Sequence, residues 1–207
     1  LVADTASIAI FANLLQLVGF DANSANVISV SAADWIDSDD SPRAGGAEDV
    51  SYRNKVPAYL PPNGPMAHPG ELKAVNGVRP GDWQRIAPYV CALPETGSSR
   101  INLNTLRPDQ SVLLSMFDPV ALPPSVAQSL LANRPAGGYG SVDRFWTQPQ
   151  LAAMENRDRA IAQTAVDSRF FLMEARIEYG GSVANERAFI DASQTMPYLL
   201  WRQELID

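Results

Sequence analysis

Acidic residues are concentrated in one short stretch of this sequence, DWIDSDDSPRAGGAED, which runs from residue 34 to residue 49. It holds six of the chain's 23 acidic residues and a single basic residue, Arg43. Like charges this close repel one another, and a divalent cation offsets such repulsion. Calcium takes carboxylate, carbonyl and water oxygens on a flexible backbone, and serine, proline and glycine supply the turns here. The stretch is therefore a candidate calcium loop.

The spacing of these acids follows that of an EF-hand only in part. With Asp37 as position one, Asp39 falls at position three and Glu48 at position twelve, which are ligand positions. Position six needs glycine for a sharp turn, but Pro42 stands there, and the proline-rich segment that follows predicts no exit helix. We therefore exclude an EF-hand. The residues alone leave two interpretations open, a calcium loop of another kind and a solvated acidic loop that binds nothing.

The residue patterns of the common kinds of catalysis are missing from the sequence. No serine lies in a G-x-S-x-G elbow, and no glycine loop with lysine could cradle a phosphate. His68 is the only histidine, which excludes a multi-histidine metal site. The acids of the loop are too many for a tuned acid–base pair. The sequence therefore predicts a protein that is not an enzyme.

Length and charge limit the remaining classes of protein. The chain has 207 residues, enough for one large domain or two small ones. Its formal net charge of -7 argues against nucleic acid or an anionic membrane surface as the main partner. The one cysteine, Cys91, excludes an intrachain disulfide and is expected to be a small core residue. There is no apolar run of membrane-spanning length and no signal peptide, and the first residue, Leu1, predicts a trimmed or processed piece.

Two helical patterns lead into the acidic loop. Apolar residues at helical spacing predict a helix over Thr5–Val18, which Gly19 ends. A second helix is predicted to continue through Trp35, so the two form a hairpin that delivers the chain into the loop. After the loop, the prolines of residues 51–69 predict an irregular segment, packed by two tyrosines.

Short paired helices are predicted over residues 72–146. They include Pro80–Val90, Pro108–Met116 and Pro124–Asn133, with the INLNT segment between the first two forming turns. The arrangement is reminiscent of helix-hairpin-helix modules, many of which hold DNA phosphates with glycine-rich hairpin amides. The hairpin here reads DPVALPP, with no glycine and with three prolines, which lack N–H groups. A small helical packing unit is therefore favoured over a nucleic-acid-binding module.

The pattern changes at about Asp167. Alternating apolar and charged residues in SRFFLMEARIEY predict a strand over Ser168–Tyr179. Gly180–Gly181 turns the chain, and two more strands are predicted at Val183–Ser193 and Pro197–Glu204. Three strands with short connections form an antiparallel meander. Its apolar face needs a cover, and part of that cover is expected to lie outside this sequence.

Four blocks of the sequence together resemble the K-type minor pseudopilins of bacterial type II secretion systems. They are DWIDSDDSPRAGGAEDVSY, then GELKAVNGV, then RIAPYVCALPE with INLNT, and last SRFFLMEARIEYGG. Their order and spacing run through most of the chain, from about Leu14 to Glu204. The resemblance implies an α+β fold, a pilin-like antiparallel sheet with a large all-helical inserted domain. Residues 1–166 would form the inserted domain with the calcium loop, and residues 167–207 the C-terminal strands of the sheet.

The function that this resemblance implies is structural. Family members cap the tip of a short periplasmic filament together with the I-type and J-type minor pseudopilins, and so support protein export. The helical insert makes the tip too bulky for another subunit to add above it. A hydrophobic N-terminal helix anchors the family in the bacterial inner membrane, and this helix and the first strand would precede Leu1. Whether exported proteins also contact the tip is left open by the sequence.

The resemblance also implies calcium in the helical domain. Carried over to this chain, the ligand oxygens come from five residues of the loop: Asp37, Asp39, Asp40, Glu48 and Asp49. Asp34 is left out because its side chain is expected to face away on the preceding helix. Two alternatives to the tip subunit remain. One is a calcium-dependent extracytoplasmic binding domain, and the other is the helix-hairpin-helix nucleic-acid-binding module, which the acidic composition disfavours.

Overall fold

The computed structural model describes residues 3–94, 100–154 and 157–205. The chain forms two compact units, the first ending at Ala165 and the second beginning at Val166. The first unit is mainly helical and the second is a three-stranded antiparallel sheet. The predicted α+β class is therefore confirmed.

The first unit opens with the predicted helical hairpin. Helix α1 spans Thr5–Leu17 and helix α2 spans Ala22–Ile36. Asp4 caps the first helix by accepting two backbone N–H hydrogen bonds at 3.0 Å, and Asp21 caps the second at 2.9 Å. Gly19 makes the turn between the helices with φ +95°, a backbone conformation that is strained for any residue with a side chain. Helix α2 ends at Ile36, inside the acidic stretch, so the hairpin delivers the chain into the loop as predicted.

Aromatic side chains join α2 to the segment that follows the acidic loop. The Trp35 ring packs edge-on against Tyr52 with centroids 5.2 Å apart, and Tyr52 packs against Tyr59 at 5.4 Å. Tyr52 is fully buried and belongs to α3, Asp49–Arg53. The Tyr59 hydroxyl donates to the carbonyl of Ala74 at 2.7 Å. The predicted packing of this segment by its two tyrosines is confirmed.

The other helices of the first unit are short. They are α4 (Trp83–Ile86), α5 (Val112–Ser115), α6 (Pro124–Ala132), α7 (Val142–Trp146) and α8 (Arg157–Ala162), with 3-10 turns at Pro69–Ala74, Ala87–Tyr89, Pro108–Gln110 and Pro149–Leu151. The helix predicted over Pro108–Met116 is divided into a 3-10 turn and α5. The helix predicted from Pro80 begins only at Trp83. Cys91, predicted to be a core residue, is exposed, so that prediction is wrong.

The first unit, predicted to be all-helical, also contains a small parallel sheet. Strand β1, Ile101–Asn102, pairs with strand β2, Thr164–Ala165. The N–H of Ile101 donates to the carbonyl of Gln163 at 2.9 Å, and the N–H of Leu103 donates to the carbonyl of Ala165 at 2.8 Å. Leu103, which follows β1, is fully buried, so the pairing satisfies backbone groups that water does not reach. Part of the INLNT segment, predicted to form turns, is therefore a strand.

The connection between α5 and α6 uses its own backbone amides. The Asp118 carboxylate accepts hydrogen bonds from the N–H groups of Val120 and Ala121, at 3.2 and 2.9 Å. A helix-hairpin-helix module would instead aim such amides at a DNA phosphate. The connection therefore agrees with the interpretation as a helical packing unit.

The second unit is the predicted antiparallel meander. Its strands are β3 (Phe170–Tyr179), β4 (Ser182–Asp191) and β5 (Tyr198–Leu205), paired in that order. Gly180 and Gly181 form the two-residue turn between β3 and β4 with φ of +58° and +84°, which suits glycine at both positions. The three predicted strands are thus confirmed, with ends that differ by at most two residues.

A buried carboxylate ties the three strands together at one end of the sheet. Asp191, only 1% exposed, accepts hydrogen bonds from the guanidinium of Arg169 at 2.6 and 2.9 Å and from the Tyr198 hydroxyl at 2.7 Å. Arg169 precedes β3, Asp191 ends β4 and Tyr198 begins β5. The hydrogen bond from Arg169 is the largest cause that holds the pKa of Asp191 well below its usual range.

Apolar side chains on one face of β3 remain exposed. Phe171, Met173, Ile177 and Tyr179 alternate along the strand and are between 44% and 86% exposed. This is the apolar face for which a cover was expected.

Across the described ranges of the chain, none of the helices combines the length and the apolar character that crossing a membrane requires.

Candidate metal centre

Asp34, Asp37 and Glu48 come together where α2 ends and α3 begins. Each offers a carboxylate oxygen, and these three oxygens lie within 4.8 Å of one another. Asp34 and Asp37 are three residues apart, so they project from the same side of the helix end, and Glu48 stands at the N-cap of α3. Asp34 is 0% exposed and Glu48 is 3% exposed, while the Asp37 side chain is 13% exposed. Three acids thus share a space that is almost closed to water.

Protein donors satisfy both carboxylate oxygens of Asp34. Its Oδ2 accepts from the N–H of Ala47 at 2.9 Å and from the N–H of Arg43 at 3.3 Å, and its Oδ1 accepts from the Arg43 guanidinium at 2.7 Å. Gly46 passes so close that a Cβ at this position would overlap the Asp34 carboxylate. Asp34 therefore holds the returning loop against α2.

Arg43 balances part of the negative charge in this group. Its guanidinium forms ion pairs with Asp34 and Asp37 and also donates to the carbonyl of Ala3 at 3.1 Å. The hydrogen bonds to Asp37 and Asp34 raise the pKa of Arg43, so this charge is permanent. When all three carboxylates are ionised, the one positive charge of Arg43 leaves the group with a formal charge of -2.

Glu48 has no such partner among the described residues. Both of its carboxylate oxygens, and Oδ1 of Asp37, are buried and accept no hydrogen bond from the residues that the structure describes. Glu48 is the N-cap residue of α3, yet its side chain does not cap that helix. Burial raises the pKa of Glu48 to about 7, and repulsion from Asp34 and Asp37 contributes to the rise. A buried carboxylate without a partner is destabilising unless a cation meets it.

The structure brings two of the five predicted ligands into this buried group, Asp37 and Glu48. Asp39 and Asp40 are exposed. Asp49 forms an ion pair at 2.7 Å with Arg53, one turn further along α3. The buried pair is therefore the part of the predicted set that the fold places together.

The exposed acids have local partners. The Asp39 carboxylate accepts from the N–H of Ser41 at 2.9 Å, an ordinary turn contact. The Asp40 carboxylate accepts from the side-chain amide of Asn63 at 2.8 Å and so links the loop to the proline-rich segment.

The expectation that Asp34 faces away is wrong. Its side chain is fully buried in the carboxylate group, because the loop returns across this side of α2 and covers it. The sequence does carry a signal for this position. Asp37 is three positions after Asp34, and residues at that spacing lie on one side of a helix.

The donor atoms suit a hard divalent cation. All are carboxylate oxygens, which calcium and magnesium prefer, and the charge left after Arg43 equals that of one divalent ion in magnitude. His68 does not belong to the group. Its Nδ1 instead accepts from the N–H of Gly70 at 2.9 Å and caps a 3-10 turn.

A helical unit with a buried acidic group, followed by a three-stranded antiparallel meander, defines an α+β protein. A similar solved structure is the GspK chain in the GspK–GspI–GspJ complex from the type 2 secretion system of enterotoxigenic Escherichia coli. Its TM-score is 0.86 at 29% sequence identity, and the match covers 97% of this chain and 70% of that chain.

Sequence comparison gives the family. Models described as type II secretion system (T2SS), protein K, match residues 2–95 and 101–167. Type II secretion system protein K from Klebsiella pneumoniae is 34% identical over 87% of this chain and 55% of its own length. The protein of that name from Pectobacterium carotovorum subsp. carotovorum is 32% identical over 94% of this chain and 58% of its own length. The chain thus spans little more than half of these relatives. It belongs to the type II secretion system protein K family, so the resemblance to K-type minor pseudopilins is confirmed.

Proposed function

We propose that this chain is part of a structural, non-enzymatic tip subunit of the type II secretion pseudopilus. In this function it assembles with the I-type and J-type minor pseudopilins and supports protein export. The observation that carries the proposal is the likeness to GspK, at a TM-score of 0.86, in a structure where GspK is bound to GspI and GspJ. In the full-length protein, this part would lie in the periplasm and an N-terminal helix would anchor it in the inner membrane.

The size of the first unit suits a capping function. It runs to Ala165 and is much larger than the sheet unit that follows. A large unit added to a filament subunit would obstruct the position above it, so that no further subunit adds at the tip.

Reconstitution tests the tip assignment. The chain would be mixed with the I-type and J-type proteins of the same secretion system and analysed by size-exclusion chromatography with light scattering. We expect a stable complex that contains one copy of each protein. A chain that elutes alone in the presence of both proteins would overturn the proposal.

We also propose that Asp37 and Glu48 bind a calcium ion. Their three buried oxygens without hydrogen-bond donors among the described residues support this assignment. Calcium would supply the charge that Arg43 leaves unbalanced, and Asp34 would hold the loop in the required shape. Because Asp37 is the C-cap residue of α2 and Glu48 is the N-cap residue of α3, the ion would fix the loop at both ends. Ligation by Asp39, Asp40 and Asp49 stays a prediction.

Thermal unfolding with and without calcium tests the site. A ligand that binds only the folded state at about 100 times its Kd adds about 2.7 kcal/mol to the free energy of unfolding. We therefore expect the Tm to rise when calcium is added after treatment with a chelator, and magnesium serves as the control for a non-specific charge effect. A Tm that is the same in calcium and in chelator contradicts the site.

A further inference from the structure

The last helix of the first unit is held by polar contacts more than by apolar burial. Helix α8 has six residues, of which only Ala160 is buried. A helix this short is not stable in water on its own. It is soon followed by β2, whose pairing with β1 comprises two residue pairs. The end of this unit therefore depends on the contacts that α8 makes with distant parts of the chain.

Arg159 of α8 contacts the beginning of α1, which lies 155 residues earlier. Its Nη2 donates to both carboxylate oxygens of Asp4, at 2.7 and 2.8 Å, and to Ser7 Oγ at 3.0 Å. The side chains of Arg159 and Asp4 are 38% and 43% exposed, so water and salt reach the ion pair. The Nε of Arg159 is buried and has no acceptor among the described residues, which makes the closed contact less favourable. The contact can therefore break without a large loss of stability.

Helix α1 keeps its own support when this contact breaks. Asp4 still accepts hydrogen bonds from the first N–H groups of α1 and so caps that helix. Phe11, Leu14 and Leu15 of the same helix are buried in the apolar core of the unit. Because α1 is anchored in this way, α8 is the side of the contact that opens.

Contacts around Trp146 of α7 link α8 to β2. Arg157, the first residue of α8, donates to the carbonyl of Trp146 at 2.9 Å. The Trp146 indole N–H donates to Thr164 Oγ1 of β2 at 2.9 Å, and this hydroxyl donates to the carbonyl of Ala160 at 2.8 Å. Since Thr164 bonds back to α8, we expect α8 and β2 to open together.

We propose that α8 is a latch, which the ion pair between Asp4 and Arg159 keeps closed and whose opening releases β2 from β1. Helix α8 and β2 are the last elements before the second unit begins at Val166. When the latch opens, residues 157–165 join the connection to the second unit and add about 30 Å of extended chain to it. The latch uses none of the residues of the acidic group and does not rest on the calcium site.

Two substitutions remove the ion pair and leave the cap of α1 in place. Asparagine caps helices about as well as aspartate, so Asp4→Asn keeps the cap and loses the charge that pairs with Arg159. Arg159→Gln removes the other charge and retains much of the side chain. The matched control is Asp109→Asn, which breaks an exposed ion pair with Arg107 in the same unit.

The measurement is amide hydrogen exchange of the chain, followed by mass spectrometry. Asp4→Asn and Arg159→Gln are each expected to speed exchange over residues 157–165 by about fivefold, the upper end of what an exposed ion pair contributes. Exchange over Thr5–Leu17 should stay as in the wild type. The double variant should match either single variant, because both substitutions remove the same interaction.

A salt series gives a second readout that needs only the wild type. Raising sodium chloride from about 0.05 M to about 1 M screens the ion pair and should also speed exchange over residues 157–165. Asp4→Asn should no longer show this response, whereas the control Asp109→Asn should respond as the wild type does.

Four results would overturn the latch. The first is exchange over residues 157–165 that changes no more in Asp4→Asn than in Asp109→Asn. The second is equal acceleration throughout the unit, since the ion pair would then support the whole fold. The third is additive effects of Asp4→Asn and Arg159→Gln, which would show that the two residues do not act through each other. The fourth is wild-type exchange over residues 157–165 that does not respond to salt.

Discussion

Replacing Glu48 with glutamine should stabilise the calcium-free protein and remove its response to calcium. Glutamine keeps the shape of the side chain and removes the charge that is buried without a partner among the described residues. In chelator, the variant should be more stable than the wild type at pH 8. In calcium, the order should reverse, because only the wild type binds the ion.

The size of the effect follows from the pKa of Glu48. Burial raises this pKa from 4.5 to about 7. Each tenfold change in a protonation equilibrium is worth about 1.4 kcal/mol, so ionisation of Glu48 costs the folded state about 3 kcal/mol. Because the pKa is higher in the folded than in the unfolded state, the folded state binds more protons between these two values. The wild type therefore loses stability as pH rises from about 4.5 to about 7, and Glu48→Gln does not show this loss.

Urea unfolding in chelator, followed by circular dichroism between pH 4 and pH 8, measures the difference directly. Glu178→Gln is the matched control, since it removes a negative charge from an exposed position on β3. We expect Glu48→Gln and the wild type to converge near pH 4 and to differ by about 3 kcal/mol at pH 8. Equal stabilities at pH 8 would refute the claim that Glu48 is buried without a compensating charge.

Two further predictions concern the packing of Gly46 against the Asp34 carboxylate and the buried Asp191 of the sheet. Gly46→Ala should lower the free energy of unfolding by about 1–3 kcal/mol, because the new methyl group overlaps the Asp34 carboxylate. Gly81→Ala is its control, since the space around Gly81 is open, and equal losses for the two variants in urea unfolding would contradict this contact. In the second unit, Asp191 has a lowered pKa, so its ionised form contributes stability above about pH 4 that is lost as pH falls towards the folded-state value. Asp191→Asn should therefore weaken the hydrogen-exchange protection of β4 at neutral pH. In the variant, the protection should no longer fall through protonation of this carboxylate as the pH is lowered. Unchanged protection at neutral pH would exclude a stabilising function for the carboxylate.

The elements that could be predicted from the sequence are those set by local patterns. Asp4, Gly19 and Asp21 bound the helical hairpin through caps and a turn, which need only neighbouring residues. The three strands of the second unit follow from strict alternation and from the Gly180–Gly181 turn. These features depend little on distant parts of the chain, so pattern and structure agree.

The features that the sequence did not reveal depend on distant contacts. Strand β1 contains two residues, too few for any periodicity, and it exists because residue 101 pairs with residue 164. The burial of Asp34 depends on the return of the loop, where Ala47 donates to its carboxylate. The hydrogen bond from the Asn63 amide to Asp40, 23 residues earlier in the chain, is likewise a contact that residue spacing does not predict. The clustering of acidic residues in the sequence located the loop, but it could not distinguish the acids that are buried from those that are exposed.

The central claim is that Asp37 and Glu48 hold a divalent cation between α2 and α3. Anomalous diffraction from crystals grown in calcium chloride would locate the ion directly. We predict one anomalous peak within ligand distance, about 2.3–2.6 Å, of Glu48 and Asp37 oxygens. A map with no peak at these oxygens, or with peaks only beside the exposed Asp39 and Asp40, would contradict the claim.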